Sequence, residues 1–492
     1  MTRNQVWHQD SQGIVDNAEI FDLFGWQLIA ADFNDDKIDD LAISVFGESV
    51  GNITNAGAVN VIYGSNSGLT ATNNQVWHQN SLGINGEAED GDNFGTSLTA
   101  ADFDGDGIAD LAVSAFGEDI GNVQDGGSVN AIYGSNSGLA ATDSQLWTQN
   151  SPGISGNAED FDNFGASLVA GDFNGDGLGD LAISAASEGV GDIESAGAVN
   201  IIYGSSSGLT ATDSQVWTQN SPGISGDAEE LDLFGTDLSA GDFNGDGIAD
   251  LAISSANEGV GDIESAGAVN IIYGSSSGLT ATDSQLWTQN SSGISGSAEE
   301  LDLFGTSLTA GDFNGDKIKD LAIAAANEDL GDIEGAGAVN IIYGSSSGLT
   351  ATDSQVWTQN SPGISGDAED FDNFGASLAA ADFNGDGIED LAVGSPNESV
   401  GDLQFAGTVN IIYGSDTGLA ATDNQVWTQN SPGISGEVED FDNFGASLTT
   451  GDFNGDGFAD LAIGVAGENI GNVELAGAVQ ILYGSASGLT AL

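Results

Sequence analysis

Cysteine is absent from the 492 residues. That removes disulfides, thiol catalysis and thiolate metal sites, and leaves cation clamps as the natural substitute for covalent staples. Positive charge is nearly absent as well. Four basic side chains, Arg3, Lys37, Lys317 and Lys319, stand against 76 acidic ones, for a formal charge of -72. Such a surface repels nucleic acid and anionic membranes, so neither is an expected partner. No run of about 18 apolar residues exists to span a bilayer, and the start, MTRNQVWHQD, carries no apolar signal segment, so direct membrane insertion is not expected. Helical periodicity is missing too, because β-branched and aromatic residues alternate with small ones and glycines interrupt every stretch. Strong acidity often accompanies disorder, yet 39% apolar residues and evenly placed aromatics argue for a packed structure.

What the chain has is a period. Trp7, Trp77, Trp147, Trp217, Trp287, Trp357 and Trp427 recur every 70 residues without an insertion or deletion, giving seven repeats. Residues 191–215 and 261–285 are identical, the mark of recent duplication or of deliberate construction. A core spread over equivalent units explains a length too great for one ordinary core. Each repeat holds four extended segments separated by Gly, Ser, Asn and Asp clusters: FGASLVAG at 164–171, DLAISA at 180–185, AVNIIY at 198–203 and QVWTQ at 215–219. Apolar residues on both alternating faces of segments such as 199–203 require cover on both sides. The expected fold is therefore all-β: a seven-bladed β-propeller of four-stranded antiparallel blades, forming one domain over 1–492. A straight solenoid would need capping repeats, and neither end reads as a cap. The array starts with a fourth segment and stops after a third, so residues 4–10 are expected to complete the last blade, formed by about 440–492, and close the ring.

Between the first and second segments of every repeat lies an acidic loop, GDFNGDGIAD at 241–250, whose oxygens fall at positions 1, 3, 5 and 9 with a carbonyl available at position 7, the ligand spacing of a calcium loop. The candidate metal residues are Asp32, Asn34, Asp36, Ile38 and Asp40; Asp102, Asp104, Asp106, Ile108 and Asp110; Asp172, Asn174, Asp176, Leu178 and Asp180; Asp242, Asn244, Asp246, Ile248 and Asp250; Asp312, Asn314, Asp316, Ile318 and Asp320; Asp382, Asn384, Asp386, Ile388 and Asp390; and Asp452, Asn454, Asp456, Phe458 and Asp460. Turn-forming Asp and Asn that merely bond the backbone are the alternative. Converging carboxylates repel without a cation, so Ca2+ in up to seven loops is expected. Seven divalent ions would still leave the chain at about -58, so most of its acidity must be solvated or screened. Lys37 and Lys317 replace the glycine at position 6 and Asp35 the glycine at position 4, which makes the loops at 32–40 and 312–320 the expected weakest sites.

The recurring Phe-Gly, as at Phe164-Gly165, the Gly-Ala before the third segment, as at Gly197-Ala198, and the acidic loop between them resemble the FG-GAP repeat of the integrin α-subunit β-propeller. The resemblance covers essentially the whole chain. It implies seven blades with calcium in the hairpin between first and second strands, on one face of the disc. Integrin α-propellers usually carry metal loops in only some blades, and no inserted domain or stalk is present here. The resemblance thus implies a propeller module for binding or adhesion at an extracellular or cell-surface location, and does not imply a receptor that signals across a membrane.

On the face opposite the loops, every repeat carries acids equivalent to Glu159, Asp162 and Glu188. They read either as an acidic crown for a ligand or as turn-capping carboxylates. Variation between repeats gathers there, as in Val45-Phe46-Gly47 against Ser395-Pro396-Asn397 and Asn55 against Phe405. The expected partner is a protein meeting that face, or a glycan, with the chain itself monomeric. The periodic tryptophans are expected to pack between blades rather than stack on sugars, and the off-period Trp26 to fill a local gap. His8 and His78 lie on outer strands and make a poor catalytic pair. No single unrepeated acid/base pair marks a reaction centre, so the expectation is a non-catalytic module, with a lectin or an engineered or structural scaffold as alternatives.

Overall fold

The computed structural model describes residues 4–491; residues 1–3 and 492, within the expected domain, lie outside the described residues. The described residues form seven four-stranded antiparallel sheets and no helix, arranged as a closed ring. The third blade is representative. Its strands run in chain order from the axis outward: Leu168–Gly171, Asp180–Ala185, Ala198–Tyr203 and Thr210–Trp217. The second and third strands match the expected segments to the residue. The first is shorter than 164–171, because Asn163 and Gly165 take positive φ (55° and 101°) and the Gly165 N–H bonds back to the Ser184 carbonyl at 2.7 Å. The outer strand begins earlier than expected, at Thr210, and a bulge between Ile201 and Tyr203 loosens its pairing.

Burial explains the stack. Every residue of the second and third strands in the third blade is buried, and the apolar clusters each draw on two neighbouring blades. One such cluster joins Phe173, Val199 and Tyr203 of the third blade to Phe234, Leu251 and Ile272 of the fourth, with Trp217 packed against it. The periodic tryptophans are therefore inter-blade packing, as expected. Trp26 differs from expectation. It is 41% exposed and lies with its ring 4.8 Å from that of Phe46, on the surface rather than in a gap.

The Phe-Gly and Gly-Ala motifs meet across blades. The N–H of Phe234 bonds to the Ala196 carbonyl of the preceding blade at 2.9 Å, and the adjoining Gly197 (φ 88°) lies so close that an added Cβ would collide with the Phe234 backbone. The same bond recurs at Phe94, Phe164, Phe304, Phe374 and Phe444, and Phe24 makes it to Ala476 of the last blade at 2.9 Å. Ring closure adds a strand. Gln5–Trp7 pairs antiparallel with Ala478–Leu482, Gln5 opposite Ile481 and Trp7 opposite Val479, so the chain start supplies the outer strand of the last blade as expected. The Ser447 hydroxyl then donates to the Gly25 carbonyl at 2.7 Å, stitching the innermost strands of the last and first blades.

This closure predicts the effect of losing it. A chain lacking residues 1–9 exposes an unpaired edge on Ala478–Leu482. Thermal unfolding should move to lower temperature, and size-exclusion chromatography should show concentration-dependent association; a truncated chain as stable and monodisperse as the full one would contradict the closure's role.

Candidate functional site: the acidic loops and the opposite face

Each acidic loop turns between the first and second strands of its blade, so all seven lie on one face. Local sequence sets their shape. In the second blade Asp102 accepts Gly105 N–H (2.7 Å) and Asp106 N–H (3.2 Å) on Oδ1 and Gly107 N–H (2.8 Å) on Oδ2. Asp104 accepts Asp106 N–H at 3.0 Å, and Asp106 accepts Ile108 N–H at 2.9 Å. Short polar side chains bonding the backbone two to five residues ahead hold the turn in one conformation. Ligand atoms of Asp102, Asp104 and Asp106 consequently lie within 4.8 Å of one another. The same pattern recurs at Asp242, Asn244 and Asp246, where Asp242 takes the N–H groups of Asp246 (3.0 Å) and Gly247 (2.8 Å) and Asn244 that of Asp246 (2.9 Å). The donor set is all oxygen, most of it carboxylate, which suits a hard divalent cation.

Position 9 has a different duty. Asp110 is buried and stands outside the cluster of three, with Oδ2 accepting Phe103 N–H (2.8 Å) and Oδ1 accepting Gly134 N–H (2.8 Å). It ties the loop to the turn after the third strand. Asp40, Asp180, Asp250, Asp320, Asp390 and Asp460 make the equivalent pair of bonds. Burial pushes Asp110 up to about 7 despite those donors, and Asp40 and Asp460 up to about 8. The position 7 side chains point at neighbours. Ile248 lies against Gly175 of the preceding loop, and Phe458 against Gly385. Backbone bonds complete the linkage. The position 8 N–H of each loop bonds the position 1 carbonyl of the preceding one, from Ala109 to Asp32 (3.1 Å) and Gly179 to Asp102 (2.8 Å) around to Asp39 and Asp452 (3.1 Å).

The departures in loops one and five keep this backbone. Lys37 (φ 70°), Lys317 (φ 73°) and Asp35 (φ 62°) hold the left-handed conformations that glycine would take, and the N–H groups of Lys37 and Lys317 still bond Asp32 and Asp312 at 2.9 Å. The Lys37 ammonium pairs with Asp35. Lys319 instead reaches the sixth blade, pairing with Glu389 at 2.7 Å.

On the other face, the repeated acids are largely absorbed by the fold. Asp162 Oδ2 accepts Glu159 N–H at 2.5 Å, and Glu188 Oε2 accepts Gln149 Nε2 at 2.6 Å. Gln149 belongs to a set that sequence reasoning missed: Gln9, Gln79, Gln149, Gln219, Gln289, Gln359 and Gln429, each bonded to the glutamate 39 residues on. Its signal was present, a glutamine two residues after every periodic tryptophan. Burial and the neighbouring aspartate push Glu48, Glu118, Glu188 and Glu398 up to about 8. His8 and His78 are lowered by burial and lie one blade apart on outer strands, not at a shared site.

Seven four-stranded blades in a closed ring, each with an acidic loop at its first hairpin, define a repeat β-propeller. The FG-GAP repeat family model matches residues 94–129, 164–201, 234–271, 304–341, 374–411 and 444–482, one segment in each repeat from the second to the seventh. The chain thus carries six FG-GAP repeats, and its seven-bladed ring resembles the integrin α-subunit propeller. Integrin alpha-PS2 of Drosophila melanogaster is 30% identical over 219 residues, 44% of this chain and 14% of that protein. Phosphatidylinositol-glycan-specific phospholipase D of Mus musculus is 35% identical over 157 residues, 32% of this chain and 17% of that protein. The chain therefore matches less than a fifth of the length of either relative. The solved structure of an exotype rhamnogalacturonan lyase, YesX, aligns with TM-score 0.42 at 13% identity, covering 94% of this chain and 72% of the other. The expectation of a non-catalytic chain is corrected by the phospholipase match: repeats of this kind occur in a protein named as an enzyme, and the absence of an unrepeated acid/base pair does not exclude catalysis. No helix of the described residues is long and apolar enough to cross a membrane.

The buried glutamates set a pH dependence. A carboxyl whose folded pKa lies above its unfolded value, about 4.3, binds more protons in the fold than in the unfolded chain, so stability is highest below the window and falls as pH rises through it. With Glu118 and Glu188 at about 8, the melting temperature of chelator-treated protein should decline steadily between pH 5 and 8. A profile that rises across that interval would contradict the assignment.

Proposed function

We propose that the chain is a calcium-stabilised extracellular propeller module that binds a protein partner on the face opposite its acidic loops. The observation that supports this reading most directly is the loop geometry: in the second blade the oxygens of Asp102, Asp104 and Asp106 are gathered and fixed by backbone N–H groups, and in all seven loops the position 1 carboxylate takes the N–H groups of positions 5 and 6. A bound cation neutralises the charge gathered there and supplies the stability that a cysteine-free ring lacks. Linkage between loops makes each ion count beyond its own blade, since position 8 of one loop bonds position 1 of the one before. Modules of this kind bind calcium at roughly 10⁻⁴ to 10⁻³ M, an affinity that suits an extracellular or cell-surface location. Partner binding draws its support from the similarity to integrin alpha-PS2 and from the variation between repeats on the opposite face.

A second reading rests on the phospholipase match: the ring is part of an enzyme that acts on phosphatidylinositol-glycan-linked substrates. Release of phosphatidate from such a substrate by this chain would favour it over the binding module.

Calorimetric titration of chelator-stripped protein tests the calcium reading. Uptake should approach seven ions per chain, and each site at 100 times its Kd should add about 2.7 kcal/mol of stability. Lys317→Gly should tighten the fifth loop by removing a positive charge beside the ion. Absence of uptake, or uptake without a rise in melting temperature, would overturn the proposal.

A further inference from the structure

The innermost strands begin at an axial well of about 320 Å3. The well lies at the end of those strands away from the acidic loops, since Leu238–Gly241 runs from it directly into the loop at Asp242. All seven blades contribute the residue two places after the Phe-Gly pair. Five supply serine, the first supplies Gln27, and the fourth supplies Asp237, the one carboxylate in the wall. In otherwise near-identical repeats this is a charge where the fold accepts a hydroxyl.

The well is rich in acceptors. Asp237 uses Oδ2 to accept Leu308 N–H of the next blade at 2.8 Å, the bond that Ser97 makes to Leu168 N–H at 3.0 Å. The hydroxyls of Ser377 and Ser447 donate outward to the carbonyls of Gly445 and Gly25, both at 2.7 Å, which turns their remaining capacity to accepting. The described lysines, Lys37, Lys317 and Lys319, all sit in the acidic loops on the far face, so none neutralises Asp237. Burial pushes its carboxyl up to about 7, against hydrogen bonds from Leu308 N–H, Leu238 N–H and Ser167 that favour the charged form.

An aromatic surface lies at the same end of the first two blades, outside the lining of the well. Trp26 precedes Gln27, its ring lies 4.8 Å from that of Phe46, and Phe46 lies 6.4 Å from Phe116. Phe46 and Phe116 follow the second strands, again at the end away from the loops. Where the first two blades carry these phenylalanines, the others carry Ala186, Ala256, Ala326, Pro396 and Ala466.

We infer that the axial well is a binding site for a small organic cation of the primary-ammonium class, with Asp237 receiving the ammonium. One carboxylate and the accepting hydroxyls of Ser377 and Ser447 complement a single positive charge carrying several N–H donors. A divalent metal ordinarily draws on more carboxylates than the one present. This site is separate from the acidic loops and from the calcium reading.

The test is calorimetric titration of the full chain in calcium with 2-phenylethylamine, against the neutral 2-phenylethanol. The amine should bind saturably at one site per chain, and the alcohol should not. D237S installs the residue that five other blades carry, so the ring is retained; it should weaken amine binding about tenfold or more, as loss of a charge-assisted bond implies. Trp26→Thr, the residue of the second blade, lies outside the lining and should leave amine binding unchanged. Calcium uptake and melting temperature, followed in parallel, should match wild type in D237S, which separates this outcome from any failure of the loop proposal. Equal amine affinity in wild type and D237S, equal binding of the alcohol, or no saturable binding up to about 10 mM amine would overturn the inference.

Discussion

The ring depends on a contact with no side chain in it. Where Gly197 faces Phe234, two backbones approach more closely than any Cβ permits, and the Phe234 N–H reaches the Ala196 carbonyl at 2.9 Å. Seven such contacts, the last between Phe24 and Ala476, set the spacing of the blades. Phe234 then fills the apolar space that this approach leaves, alongside Phe173 from the previous blade's loop. The motif's two halves are 37 residues apart and belong to different blades. Its recurrence is visible along the chain, but its meaning, a backbone docking surface and the phenylalanine that covers it, exists only between neighbours.

Two faces follow from that stacking, and they differ in how far they obey the repeat. On the loop face, the turn chemistry is kept even where the residues change: Lys37 and Lys317 adopt glycine's conformation rather than alter the turn. On the other face, the periodic acids are spent on the fold, Asp162 capping the Glu159 N–H and Glu188 holding Gln149. Among the residues that break the period there are Trp26, Phe46, Phe116 and Asp237. Repetition therefore marks structure in this chain, and departure from repetition marks the surface available for recognition.

Much of this was legible in the sequence, for identifiable reasons. The strands Asp180–Ala185 and Ala198–Tyr203 were readable to the residue, because burial on both faces produces an uninterrupted apolar run bounded by turns. The first strand was overextended in the third blade, where the Gly165 N–H turns back to the Ser184 carbonyl, whereas Phe24–Ala31 and Phe444–Gly451 keep the full length. The outer strand was cut short, because the exposed residues at 212 and 213 of TATDSQVW look like a turn; they lie in the register shift between the Thr210 and Gln215 pairs without ending the strand. In the loops, spacing marked the cluster that Asp102, Asp104 and Asp106 form. That Asp110 instead bonds Phe103 N–H and Gly134 N–H required knowing which turn lies beside it. The Gln149–Glu188 bond was hidden by its 39-residue separation, and Asp237 by its resemblance to an ordinary turn residue.

The circuit of hydrogen bonds between successive loops, from Ala109 to Asp32 and onward until Asp39 meets Asp452, has an evolutionary side. A hoop fastened link to link fixes its own circumference. A single inserted residue in any unit would misalign a link on either side of it, which accounts for seventy-residue spacing kept without exception. Growth of such a chain must proceed by copying whole units, and a copy too many would leave the hoop unable to shut.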